Sequence, residues 1–144
     1  MTNVQAWSAR VAPILLRFAL GIGLLSAVAD RFGVWGPHGV GSVAWGDFSD
    51  FIAYTSKLAP WVPRVALPAF SWIVTVAEAV LGLSLCAGLW INMVALLTSG
   101  MTLAFGVSMA AVLGLQSPFN YSVFVFSFAA LLLAATPERV RGGK

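Results

Sequence analysis

Charge is the scarcest property of this sequence. Only 9% of its 144 residues are Asp, Glu, Lys or Arg, while 60% are hydrophobic. A soluble domain carries about a quarter charged residues to keep its surface wet, so a water-facing exterior is excluded. The few charges sum to a formal +3, and the basic ones are scattered, which excludes the basic patch of a nucleic-acid binder. One cysteine, Cys86, excludes an internal disulfide and any CxxC redox pair. One histidine, His38, excludes bis-histidine haem ligation within the chain and leaves a zinc site short of ligands. No metal centre is expected. Glycine-rich phosphate loops and catalytic triads are also missing, so no covalently held cofactor is expected either.

Long apolar runs are what the chain does have, and the mean hydropathy is +0.92. Four of them, at 11–29, 68–90, 91–115 and 118–136, have the length for a bilayer. About 20 residues at 1.5 Å rise cross a hydrocarbon core of roughly 30 Å. They lack the period-two alternation of a barrel strand, so helices are predicted. Ser117-Pro118 reads as N-cap and first helical position of the fourth span, and Thr136-Pro137 closes it. The short connections at 88–92 and 116–118 make the second, third and fourth spans successive antiparallel neighbours. All six tryptophans fall outside the spans or near their ends, where an indole sits well at headgroup level. The predicted fold is a single domain: an all-α integral membrane four-helix bundle.

The first loop, 30–67, is the exception to this compactness. Gly33, Gly36, Pro37, Gly39 and Gly41 make its first half rich in turns. From Trp45 to Leu58 the pattern turns helical, with Phe48, Phe51, Ile52 and Leu58 on one face and Asp47, Asp50 and Lys57 elsewhere. A short amphipathic helix, on the membrane surface or covering the bundle, is expected there. Orientation follows from the basic residues. Arg10, Arg139, Arg141 and Lys144 share one side, against Arg31, Lys57 and Arg64 in the long loop, which places both termini in the cytoplasm. Arg10, an apolar run and Ala27-Val28-Ala29 imitate a cleavable secretory signal, but Arg17 within the run argues against it.

Arg17 and Glu78 carry the chemical interest. Each is the only charge in its span, and a charge facing lipid at mid-helix costs at least ~2.5–3.5 kcal/mol. Both are expected to face the bundle interior. Counting ~1.5 Å per residue from Asp30 and from Pro68 puts them within ~5 Å of one depth, where they are expected to pair. Each also sits one turn from a glycine on the same face, Gly21 and Gly82, where backbones can approach closely. The pair reads either as a register-fixing ion pair or as a site in which Glu78 accepts a proton. Cys86, two turns beyond Glu78, reads as a small packing residue. Asp30 and Arg31 end the first helix, Asn120 and Tyr121 open the fourth, and together with the loop they are candidates to rim a cavity.

Arg17-x-x-Leu-Gly21, Asp30-Arg31-Phe32-Gly33, Glu78-x-x-Leu-Gly82 and Ser117-Pro118-Phe119-Asn120-Tyr121-Ser122 together resemble the DoxX family of small bacterial membrane proteins. The resemblance runs through essentially the whole chain in order and spacing. It implies a four-helix bundle in the bacterial inner membrane. Some relatives are the membrane subunit of a thiosulfate–quinone oxidoreductase, and others accompany redox-stress enzymes. Two positions depart from the family pattern: Arg31 stands where a lysine is usual, and Asn120 where an aspartate is usual, which removes an ionisable group. The expectation is an inner-membrane subunit supporting a quinone-linked oxidoreductase. Arg17, Glu78, Asn120 and Tyr121 would orient a quinone-like ligand, with Asp30 and Arg31 beside them, and a soluble or membrane redox partner would deliver electrons. A non-catalytic membrane anchor is the second reading. The third is a small-molecule carrier, for which four helices leave room only in a homo-oligomer.

Overall fold

The computed structural model describes residues 3–137, and every regular element among them is helical. In chain order these are α1 (Asn3–Arg31), α2 (Phe48–Leu58), a 3-10 turn at Arg64–Ala66, α3 (Leu67–Ala87), α4 (Ile91–Leu113), α5 (Gln116–Asn120) and α6 (Val123–Ala135). α1, the stretch Arg64–Ala87 containing α3, and α4 are each long and apolar enough to cross a membrane. Their exteriors stay apolar: Ile22, Ile73, Val76, Val80, Leu96 and Leu97 all point outward. In water such a surface would drive association, whereas lipid accommodates it.

α1, α3, α4 and α6 form a ring, with each helix packed on the next and α6 returning to α1. Three observations set its register. Gly21 on α1 meets Gly82 and Cys86 on α3, so closely that a Cβ on Gly21 would lie 2.6 Å from the Cys86 sulfur. α3 ends at Gly88, whose φ of 77° is open to glycine, and Trp90 also turns left-handed to start α4. Ser127 on α6 donates to the Ser99 carbonyl on α4 at 2.8 Å. All these neighbours are antiparallel. Leu20, Leu24, Leu81, Leu85, Val94, Ala95, Ala130 and Leu133 fill the half of the ring nearer the α3–α4 turn. We call that the turn end. The opposite, lid end is covered by residues 32–58.

Three expectations change. α1 begins at Asn3 and passes through Pro13 without ending, where a start near residue 11 was predicted. The fourth span is not one helix over 118–136. It is broken at Tyr121–Ser122, where Ser122 has φ 54°, leaving α5 with five residues and α6 with thirteen. Thirteen residues rise about 20 Å, short of a ~30 Å hydrocarbon core. Ser117-Pro118 lies inside α5 and does not start a long helix. The basic residues that carried the orientation argument, Arg139, Arg141 and Lys144, lie outside the described residues together with Glu138.

The remaining elements fall as expected. α2 is the amphipathic helix anticipated in the first loop, and its start is fixed by Asp47, whose carboxylate accepts from the Asp50 N–H at 2.9 Å. Five tryptophans (Trp7, Trp35, Trp61, Trp72 and Trp90) are exposed, while Trp45 folds inward.

Candidate functional site

A cavity of about 670 Å³ opens at the lid end. Its deep wall is Leu24 of α1, Glu78 of α3, and Thr102, Phe105 and Met109 of α4. Gly23 and Ala27 of α1 face Val123 and Phe126 of α6 across one side. The rim is polar: His38 from the loop, Asp50, Tyr54 and Lys57 from α2, and Tyr121 from the break between α5 and α6. Asp50, Tyr54 and Lys57 lie at i, i+4 and i+7, one face of a helix. The polar face of α2 therefore lines the cavity, while Phe51, Thr55 and Leu58 are buried on the other side.

Arg31 and Glu78 form an ion pair in the cavity wall. Their side chains are only 2% and 13% exposed. The Arg31 guanidinium also donates through Nη1 to the Thr75 hydroxyl at 2.8 Å, which itself donates to the Ser71 carbonyl at 2.8 Å. Its flat face is covered by the Phe51 ring, 3.7 Å from centroid to Cζ, and by Trp45 at 5.2 Å. An arginine held over two rings gains cation–π attraction that strengthens with desolvation. One donor, Nε, is buried with no acceptor. Ser71, Thr75, Glu78 and Gly82 fall on one stripe of an otherwise apolar helix, which is why α3 turns this face inward.

Asp30 has another task. Its carboxylate accepts from the backbone N–H groups of Ala44 at 2.9 Å and Gly46 at 3.3 Å, so it ties the lid to the end of α1. Gly46 is at φ 73°, and a Cβ there would lie 2.3 Å from the His38 nitrogen. No other residue fits. One carboxylate and one glycine thus fix the turn of the lid at 44–46 against α1. On α2, the Asp47 carboxyl is held below its ordinary range, first by the Ser49 hydroxyl and then by the Asp50 N–H. Burial, with a smaller contribution from Tyr121, raises the Tyr54 hydroxyl above its ordinary value, so it remains a donor.

The expected pairing of Arg17 with Glu78 does not form. Arg17 lies against Gly88, where a Cβ would come 2.8 Å from its Nη1. Glu78 is ten residues away along α3, about 15 Å. The depth argument assumed that α1 and α3 end flush. They are staggered: Arg31, the last residue of α1, is level with Thr75, eight residues inside the start of α3. The glycine expectation holds, since Gly21 and Gly82 do meet. Of the residues singled out from sequence, Glu78, Arg31 and Tyr121 share the cavity. Asp30 sits behind it, Asn120 is exposed outside it, and Arg17 is at the turn end. Thr75, Trp45, Phe51, Tyr54, His38, Asp50, Lys57 and Thr102 were not anticipated at the site. The i, i+4, i+7 spacing of Ser71, Thr75 and Glu78 was a readable signal for the first. Cys86 packs against Gly21, and no cluster of metal-ligating side chains occurs among the described residues.

Comparison with family models, curated proteins and solved structures finds no match.

Proposed function

We propose that this chain is a DoxX-like multi-pass protein of the bacterial inner membrane whose lid-end cavity takes a quinone-like ring. In this role it is the membrane subunit that supports a quinone-linked oxidoreductase. α5 and α6 together complete a fourth crossing beside α1, α3 and α4. Irregular backbone within a bilayer is tolerated where it lines a cavity, and Tyr121, at the break, does so. With the termini cytoplasmic, the lid faces the outer side.

The observation that carries this reading is the Arg31–Glu78 pair in the wall of a largely apolar cavity that opens at the lid end. A volume of about 670 Å³ is within the ~300–1,000 Å³ typical of small-molecule sites. A cationic donor and a carboxylate lie side by side there, and Arg31 Nε has no acceptor. A ring with carbonyl oxygens in one redox state and hydroxyls in the other finds a partner for each. The Tyr54 hydroxyl adds a neutral donor at the rim. No redox group belongs to the chain in this account, so electrons come from a partner enzyme.

The anchor reading has one observation in its favour: the same pair joins α1 to α3 beneath the lid, and a register-fixing role requires nothing more. A carrier is disfavoured for a single chain, because the packed leucines and alanines of the turn end leave the cavity opening to one side. Membranes bearing Glu78→Gln separate the first two. Loss of quinone-coupled electron flow, with protein level and co-purification of a flavin or iron–sulfur partner intact, supports the quinone role. Unchanged flow from a stably folded Glu78→Gln protein rules it out and leaves the anchor.

A further inference from the structure

Arg17 has no anionic partner among the described residues. Among the described residues it forms no ion pair and no hydrogen bond, and its Nε is buried with no acceptor. Its guanidinium rests 4.9 Å from the centroid of the neighbouring Phe18 ring and against Gly88 at the end of α3. A guanidinium stays charged at any physiological pH, and a partly buried one with free donors calls for an anion. The described residues offer none nearby. Asp30, Asp47, Asp50 and Glu78, the acidic residues among those described, all lie in the lid half. The carbonyls of Ser84 and Leu85 at the end of α3 already accept from Leu89 and Gly88.

The surroundings indicate where the anion comes from. Trp90, 83% exposed, lies two residues beyond Gly88, against which Arg17 rests. Indoles in such positions mark headgroup level. Leu89 and Met93 are exposed beside Trp90, an apolar surface for an acyl chain. Arg10 precedes Arg17 by two helical turns on the same face of α1, which adds positive charge and favours a lipid of net negative charge.

The geometry points to a phosphate site: Arg17, seated on the Gly88–Trp90 turn, binds the headgroup phosphate of an anionic phospholipid. The inference rests on the membrane placement proposed above but not on the ligand of the lid cavity. Arginine suits this role because its planar fork matches two phosphate oxygens at once. The missing side chain at Gly88 is what lets the fork lie flat against the turn.

Native mass spectrometry of the purified protein, titrated with phosphatidylglycerol or phosphatidylcholine, tests it. Wild type is expected to retain phosphatidylglycerol preferentially. Arg17→Gln should weaken that binding about tenfold, the order of one charge-assisted bidentate contact, and Arg17→Lys should recover part of it. Arg64→Gln makes the same change in net charge at the opposite, lid end, where Arg64 is exposed, and should leave binding within about twofold. Equal loss in both variants would reduce the effect to general surface charge and overturn the site. Equal binding by wild type and Arg17→Gln would overturn it as well. If Arg17→Gln does not fold, the comparison of wild type with Arg17→Lys decides, since a bare point charge lacks the fork and must bind more weakly. Inorganic phosphate is expected not to displace the lipid, and displacement would reassign the site to free phosphate. Resistance of the chain to alkaline carbonate extraction tests the membrane placement separately.

Discussion

Replacing Glu78 with glutamine leaves a cation stranded. Arg31 is 2% exposed, so water cannot take over from the lost carboxylate. Removing one partner of a buried ion pair typically costs ~3–5 kcal/mol. Glutamine keeps a carbonyl that can accept from the guanidinium, and the Thr75 bond and the Phe51 and Trp45 rings remain. The loss should fall near the low end, ~3 kcal/mol. At roughly 2–4 °C per kcal/mol for a chain of this size, the melting temperature should drop by about 6–12 °C. Arg31→Met combined with Glu78→Leu removes both charges and fills the space with apolar atoms. Such replacements are often neutral or better, so the double variant should recover most of the loss. Arg17→Met combined with Glu78→Gln should recover none of it. The assay is thermal unfolding in one detergent, followed by the circular dichroism of the helices. A Glu78→Gln shift below about 2 °C, or a rescue through Arg17, would refute the pairing and the stagger of α1 on α3.

The lid gives two further expectations. Gly46→Ala forces a Cβ to within 2.3 Å of the His38 backbone, so hydrogen exchange across residues 32–47 should accelerate while α3 and α4 keep their protection; unchanged exchange would contradict the fold of the loop. Because the Asp47 carboxyl is held low in the folded lid, its stabilisation of α2 is complete above the ordinary aspartate value near ~3.9 and fades as pH falls below it. Asp47→Asn keeps a good N-cap without a titrating group, so the acid loosening of α2 should disappear in that variant, and its persistence would place the cause elsewhere.

Much of the scaffold was legible because lipid imposes blunt rules. Long apolar runs read directly as α1, α3 and α4, and the stiff turn at Gly88 read as the junction of the latter two. Arg17 and Gly21 were correctly placed on one face of α1, as were Glu78 and Gly82 on α3. What failed was the depth of Arg17. Counting residues locates a side chain along its own helix but says nothing about how far one helix slides past another. That stagger is set by Gly21 on Gly82 and by Arg31 on Thr75, contacts between segments far apart in sequence. The break in the fourth span was hidden as well. Ser122 adopts a left-handed turn with no glycine to announce it. The polar stripe of α2 was visible, but its destination was not, since Asp50, Tyr54 and Lys57 look equally at home in water or on a cavity rim.

Trp45 is a built-in reporter of the central claim, because it lines the cavity and lies 5.2 Å from the Arg31 guanidinium. Its fluorescence should be followed in lipid nanodiscs during titration with a short-tailed benzoquinone. The account predicts saturable quenching that vanishes in Trp45→Phe and shifts to about tenfold higher quinone in Glu78→Gln, the order of one charge-assisted hydrogen bond. Quenching that rises linearly without saturation, or a saturable signal indifferent to Glu78, would contradict a ligand site built on the Arg31–Glu78 pair.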